Sequence, residues 1–117
     1  MQIDLFAGVA VRDYEEALGW YARLLGEVET SDPHDTERVF VLAEHRHLYV
    51  VLRPERAGQA LVTLFVEDLD GFETAAARRG VDPTTTETYD NGVRKTTYHD
   101  PEGNEIGVAG GPSGPNA

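Results

Sequence analysis

One pattern that occurs twice within 117 residues leaves few folds open, because each copy must act as a supersecondary unit that needs the other to bury its apolar side. Val11-Arg12-Asp13-Tyr14 recurs 55 residues on as Val66-Glu67-Asp68-Leu69, and Gly26 recurs 54 residues on as Gly80. Each copy reads as a strand, a short acidic turn, a helix and a glycine stop. In the first, Leu5, Ala7, Val9 and Val11 alternate with Asp4, Phe6, Gly8 and Ala10, the period of two that marks a strand. Asp13 suits a helix N-cap, with Glu16 three residues on as in a capping box. Tyr14, Ala17, Leu18, Tyr21, Leu24 and Leu25 then make one helix face apolar, up to Gly26, whose backbone freedom suits a helix end.

The second copy has a strand over 60–66, an acidic turn and a helix to about Arg79. Asp70 and Glu73 are its expected capping pair, and Phe72, Ala75, Ala76 and Arg79 its packing face. Shorter β-rich stretches follow each helix: 38–43 and 46–52 around a Glu44-His45 corner, then 84–89 and 93–98 around Asp90-Asn91-Gly92. Asp100-Pro101-Glu102-Gly103-Asn104 is a further turn, and 105–109 the last strand. The order is β-α-β-β-(β) twice, linked by 54–58, and such halves lay their helices outside and curl their sheets around a cleft. Residues 1–110 form one domain of two modules, about 1–57 and 58–110, and the Gly- and Pro-rich 111–117 reads as a flexible tail.

Composition narrows the partners. With 10 Lys and Arg against 21 Asp and Glu the net charge is −11, which repels phosphate backbones and anionic lipid, so neither nucleic acid nor membrane is expected. Hydrophobic residues at 40% are enough for a packed core. The absence of cysteine removes disulfides, thiolate metal sites and a cysteine nucleophile. No apolar run approaches the roughly 20 residues that span a bilayer, and the start, Met1-Gln2-Ile3-Asp4, reads as strand approach rather than leader. The expected location is the cytoplasm.

Val11-Arg12-Asp13 leading into Ala17, Trp20-Tyr21 and Leu24-Leu25-Gly26, then Val66-Glu67-Asp68-Leu69, then Asp100-Pro101-Glu102-Gly103-Asn104, resemble the vicinal oxygen chelate superfamily, the glyoxalase/bleomycin-resistance/dioxygenase fold. The resemblance covers roughly residues 3–109. It implies an α+β fold of two tandem βαβββ modules forming a curved mixed sheet with helices on the outside. The family holds metal-dependent lyases, isomerases, transferases and dioxygenases, and also metal-free proteins that sequester drugs, so fold does not fix activity.

In metal-dependent members a histidine stands seven residues before the aspartate of each acidic turn, and a glutamate three residues after the asparagine of the last turn. Those positions here hold Phe6, Leu61 and Gly107, which have no donor atom. A fourth position falls at His47 or Tyr49. Strand alternation sends Phe6, Gly8 and Ala10, His47, Tyr49 and Val51, Leu61, Thr63 and Phe65, and Glu105, Gly107 and Ala109 toward the cleft.

The expected function is therefore metal-independent binding or sequestration of a small organic ligand, with no cofactor, by a homodimer. Phe6, Leu61 and Phe65 supply apolar contacts, and His47, Tyr49, Arg94 and Tyr98 polar ones. Arg94 reads either as an inward group for an anionic ligand or as a surface arginine in a charge network. Trp20 and Tyr21 read as core or as a pocket wall. The rival reading is a lyase, isomerase or dioxygenase, with a displaced metal among His34, His45, His47 and His99 or with His47 in metal-free acid–base catalysis. A structural dimerisation module with a filled cleft is the third.

Overall fold

A computed structural model describes residues 1–111; the expected tail beyond Gly111 lies outside the described residues. The elements run β1 Leu5–Val11, α1 Tyr14–Leu25, β2 Thr30–His34, β3 Glu37–Ala43, β4 Arg46–Leu52, a 3₁₀ turn Pro54–Arg56, β5 Leu61–Val66, α2 Leu69–Arg78, β6 Thr85–Thr88, β7 Arg94–His99 and β8 Glu105–Gly110. Two four-stranded mixed sheets result, ordered β1-β4-β3-β2 and β5-β8-β7-β6. In each, the first strand pairs in parallel with the last and the remaining pairs are antiparallel. The α+β tandem of βαβββ modules is the architecture the resemblance implies.

Helix α1 begins where expected. The Asp13 carboxylate accepts from Glu16 N at 3.1 Å, and Glu15 and Glu16 favour the positive end of the helix dipole. It ends at Gly26, with φ of 80°, whose N–H bonds the Ala22 carbonyl at 2.9 Å. Helix α2 corrects one expectation: its cap is Asp68, not Asp70, and Asp68 accepts from Gly71 N at 2.9 Å. Gly71 permits this, since a Cβ there would sit 2.3 Å from an Asp68 oxygen. Starting the helix at Leu69 buries that side chain and turns Asp70 and Glu73 toward β7.

The strand β2 is absent from the sequence reading. Thr30-Ser31-Asp32-Pro33-His34 is exposed throughout and pairs only with β3, as a sheet edge that Pro33 guards against further pairing.

Tyr21, Leu24, Leu48 and Val50 from the first half meet Tyr98, Ile106 and Val108 from the second in one core, all fully buried. Each such side chain is worth about 1.5–3 kcal/mol. The turn Asp100–Asn104 clasps the halves together. Asp100 Oδ2 accepts from Tyr21 Oη and from Asn104 Nδ2, both at 2.8 Å. Asn104 Nδ2 also reaches the Ala10 carbonyl at 3.0 Å, while its Oδ1 accepts from Ala60 N at 2.8 Å. Glu102 accepts from Arg12 N and Asp13 N at the head of α1.

Candidate functional site

Each sheet has a face packed under its helix and an open face. On the first sheet the open face pairs Phe6 with His47, Gly8 with Tyr49 and Ala10 with Val51 across β1 and β4. On the second it pairs Leu61 with Glu105, Thr63 with Gly107 and Phe65 with Ala109 across β5 and β8. Phe6, Leu61 and Phe65 are 50%, 73% and 37% exposed, so both open faces carry uncovered apolar area.

The Phe6 ring stacks on His47 with centroids 4.2 Å apart and planes 13° from parallel. His47 Nε2 lies 3.0 Å from Asp4 Oδ2, and His45 Nδ1 lies 2.8 Å from Asp4 Oδ1. These contacts, His47 first and then His45, hold the Asp4 carboxyl below its usual range. The other His47 nitrogen, Nδ1, is buried without a hydrogen-bond partner among the described residues. Asp4 has no sequence signal of its own, because it meets the histidines only through the pairing of β1 with β4.

The Tyr49 ring lies across Gly8. A Cβ on Gly8 would sit 2.6 Å from the phenol carbon and oxygen, so glycine is what lets the ring lie there. Beside it is a recess of about 280 Å³ that includes Ala10, Val51, Arg53, Arg56 and Gln59. A second recess, about 290 Å³ and mostly apolar, has Leu5, Ala7, Leu42, Val62 and Leu64 in its walls and brings His47 and Phe65 to one cavity. A larger groove of about 660 Å³ runs between α1 and β2, away from the open faces, and its Asp32 and Arg38 are bonded to each other at 2.8 and 3.1 Å.

Arg94 and Tyr98 do not join this set. Both sit on the helix side of β7. Arg94 is held by Asp70 and, at 2.8 Å, by Glu73, which keep its pKa raised. Tyr98 is fully buried, edge-on to Phe72, and burial pushes its phenol pKa up. The physical reason is that Glu73, which also accepts from Thr96 Oγ1 at 2.6 Å, makes the helix side of β7 hospitable to polar groups. The residues of β7 on the open face are Lys95, Thr97 and His99, paired with Ala109, Gly107 and Glu105. Lys95 lies over Gly107, its Cε 2.4 Å from where a Cβ would stand. Strand 93–99 lacks the apolar alternation that would have revealed this.

The chemistry of the donor set does not fit the metal centre that the resemblance implies. Phe6, Leu61 and Gly107 offer no ligand, and one histidine or tyrosine is too few for a divalent cation. Nor do three or more His, Asp or Glu gather to hold one elsewhere among the described residues. His34 pairs with Glu37 at 3.8 Å and His99 with Glu105 at 3.6 Å, each on its own sheet. No described helix is long and apolar enough to cross a membrane.

No family model and no curated protein matches the chain. Solved structures do. The glyoxalase/bleomycin resistance protein of Catenulispora acidiphila DSM 44928 superposes with a TM-score of 0.91 and is 54% identical over 95% of this chain and 100% of that one. Lactoylglutathione lyase from Agrobacterium tumefaciens has a TM-score of 0.75 at 16% identity, covering 95% of each chain. A bleomycin-binding protein complexed with bleomycin has a TM-score of 0.75 at 15% identity, over 95% of this chain and 100% of that one. At such identities the last two share the fold alone.

Proposed function

Because the chain belongs to the glyoxalase/bleomycin-resistance family of the vicinal oxygen chelate superfamily, we propose that it binds a small organic molecule on the open face of its first sheet without a metal. The observation that carries this reading is the Phe6–His47 stack: an aromatic platform stands where the family's metal-dependent members place a ligand. Phe6 and Tyr49 offer ring surface, Gly8 seats the Tyr49 ring, Ala10 leaves room above the strand, and His47 supplies a polar edge. Binding of this kind lowers the free concentration of its ligand and requires no catalyst.

Two copies complete the site. The open faces of one chain expose Phe6, Leu61 and Phe65, and pairing with a second copy covers them and brings Leu61 and Phe65 to the ligand. A chain without cysteine needs no oxidising compartment, and the cytoplasm is its proposed location.

The test is elemental analysis of protein purified without chelator, followed by thermal-shift screening of aromatic compounds with and without added metals. Ligands that raise the melting temperature equally in both conditions support the reading. Stoichiometric zinc, nickel, manganese or iron overturns it.

The Asp4–His47 contact favours a second reading, metal-free acid–base catalysis. A carboxylate on Nε2 fixes the tautomer and makes Nδ1 the proton acceptor, which is buried and must be uncovered by movement of the ring before a ligand reaches it. Turnover of a screened ligand that disappears in His47→Gln would establish it.

A further inference from the structure

The chain carries 21 acidic side chains against 10 Lys and Arg, so carboxylates should dominate the walls of its cavities. The recess over β1 and β4 departs from that rule. Its charged lining residues are Arg53 and Arg56, its other polar side chains are Tyr49 and Gln59, and no carboxylate lines it among the described residues. All four side chains donate hydrogen bonds, two of them through guanidinium forks.

Among the described residues neither fork is hydrogen-bonded to a carboxylate. Arg38 is bonded to Asp32, and Arg94 to Asp70 and Glu73. The carboxylate nearest Arg53, Glu55, is 3.9 Å away and beyond hydrogen-bond reach. Arg56 has no ion pair among the described residues. Their backbone is anchored to the strand: Arg53 N donates to the Val11 carbonyl at 3.0 Å, and Arg12 Nη2 to the Pro54 carbonyl at 3.1 Å. Arg53, just before the 3₁₀ turn, and Arg56, within it, thus stand on a fixed base at the mouth of a floor made by Ala10 and Val51.

We propose that this recess holds the carboxylate of a small aromatic acid, gripped by Arg53 and Arg56, with the ring against Ala10 and Val51 beside Tyr49. Planar carboxylates match the guanidinium fork in bidentate geometry. A volume of about 280 Å³ suits a ligand of one ring rather than a large drug. The inference rests on the first open face being the ligand site, and it specifies the charge of what binds there.

Benzoate and its neutral isostere benzamide, titrated at low salt into ¹⁵N-labelled protein, test it. Both should shift the amides of Gly8, Tyr49 and Gln59, and benzoate should bind at least ten-fold more tightly. Arg53→Met with Arg56→Met should weaken benzoate about ten-fold and leave benzamide unchanged, while Arg23→Met with Arg78→Met, an equal charge change at exposed helix positions outside the recess, should alter neither. Benzoate binding undiminished in the double variant, or no tighter than benzamide in the wild type, overturns the carboxylate assignment alone. Failure of both probes to move Gly8 and Tyr49 overturns the ligand site as well.

Discussion

Tyr21 on α1 donates its hydroxyl to Asp100 Oδ2 at 2.8 Å inside the core, so a residue of the first half satisfies a buried carboxylate of the second. Asp100 is 4% exposed and its other acceptor sites are occupied by Glu102 N, Asn104 N and Asn104 Nδ2. The bond joins the halves at a point where water cannot replace it.

Tyr21→Phe keeps the ring and removes one donor from a charged acceptor. It should destabilise the fold by about 1.5–3 kcal/mol in urea unfolding, with an unchanged slope against denaturant. A loss below about 0.5 kcal/mol would show that Asp100 does not need this partner.

Asn104 is fully buried and binds both Ala10 O and Ala60 N, so Asn104→Ala strands polar groups in each half. The expected cost is about 3 kcal/mol, larger than for Tyr21→Phe, since several buried groups lose partners at once. Urea unfolding of the two variants side by side tests the order; equal losses would contradict it.

Burial, and for Tyr21 also the Asp100 charge, raises the pKa of Tyr21 and Tyr98 above the ordinary 10.0. Ionisation therefore favours the unfolded chain. The stabilisation is complete below pH 10 and is lost as pH rises past it, at up to about 1.4 kcal/mol per pH unit for each tyrosine. Denaturation midpoints between pH 9 and 11 should fall, and fall less steeply in Tyr21→Phe. Parallel slopes in the two proteins would remove Tyr21 as the cause.

Gly8→Ala places a methyl 2.6 Å from the Tyr49 phenol and must push the ring out of its seat. Ligand binding on the open face should weaken at least ten-fold, whereas stability changes by less than about 1 kcal/mol, because alanine suits a strand better than glycine. Tyr49→Ala should weaken binding by a similar factor, and adding Gly8→Ala to it should cost little more, because the ring is already gone. Unchanged binding in the single variant would separate Tyr49 from the site.

Much of the fold was legible because it is written in local repeats. Asp13 and Asp68 stand at matching places before their helices and both cap them, although Asp70 with Glu73 makes the more obvious capping pair in the second sequence. The open faces of β1, β4, β5 and β8 follow from alternation of apolar side chains. The edge strand β2 escaped because both its faces are exposed and its partner is backbone. The facing of Arg94 and Tyr98 escaped for a related reason: with polar residues on both sides of β7, the pattern contains no preferred face, and Glu73 on α2 decides it.

By itself the sequence determined the order of both helices and of every strand but β2, the helix start at Asp13 and the absence of donor atoms at Phe6, Leu61 and Gly107, since these depend on side-chain identity and near neighbours. Only the tertiary structure decided that Asp4 meets His47 across 43 residues, that Tyr21 meets Asp100 across 79, and that Arg53 and Arg56 line the recess beside Tyr49. Such meetings depend on strand register and on how each helix docks, and a shift of one residue along β4 would turn His47 and Tyr49 to the other face.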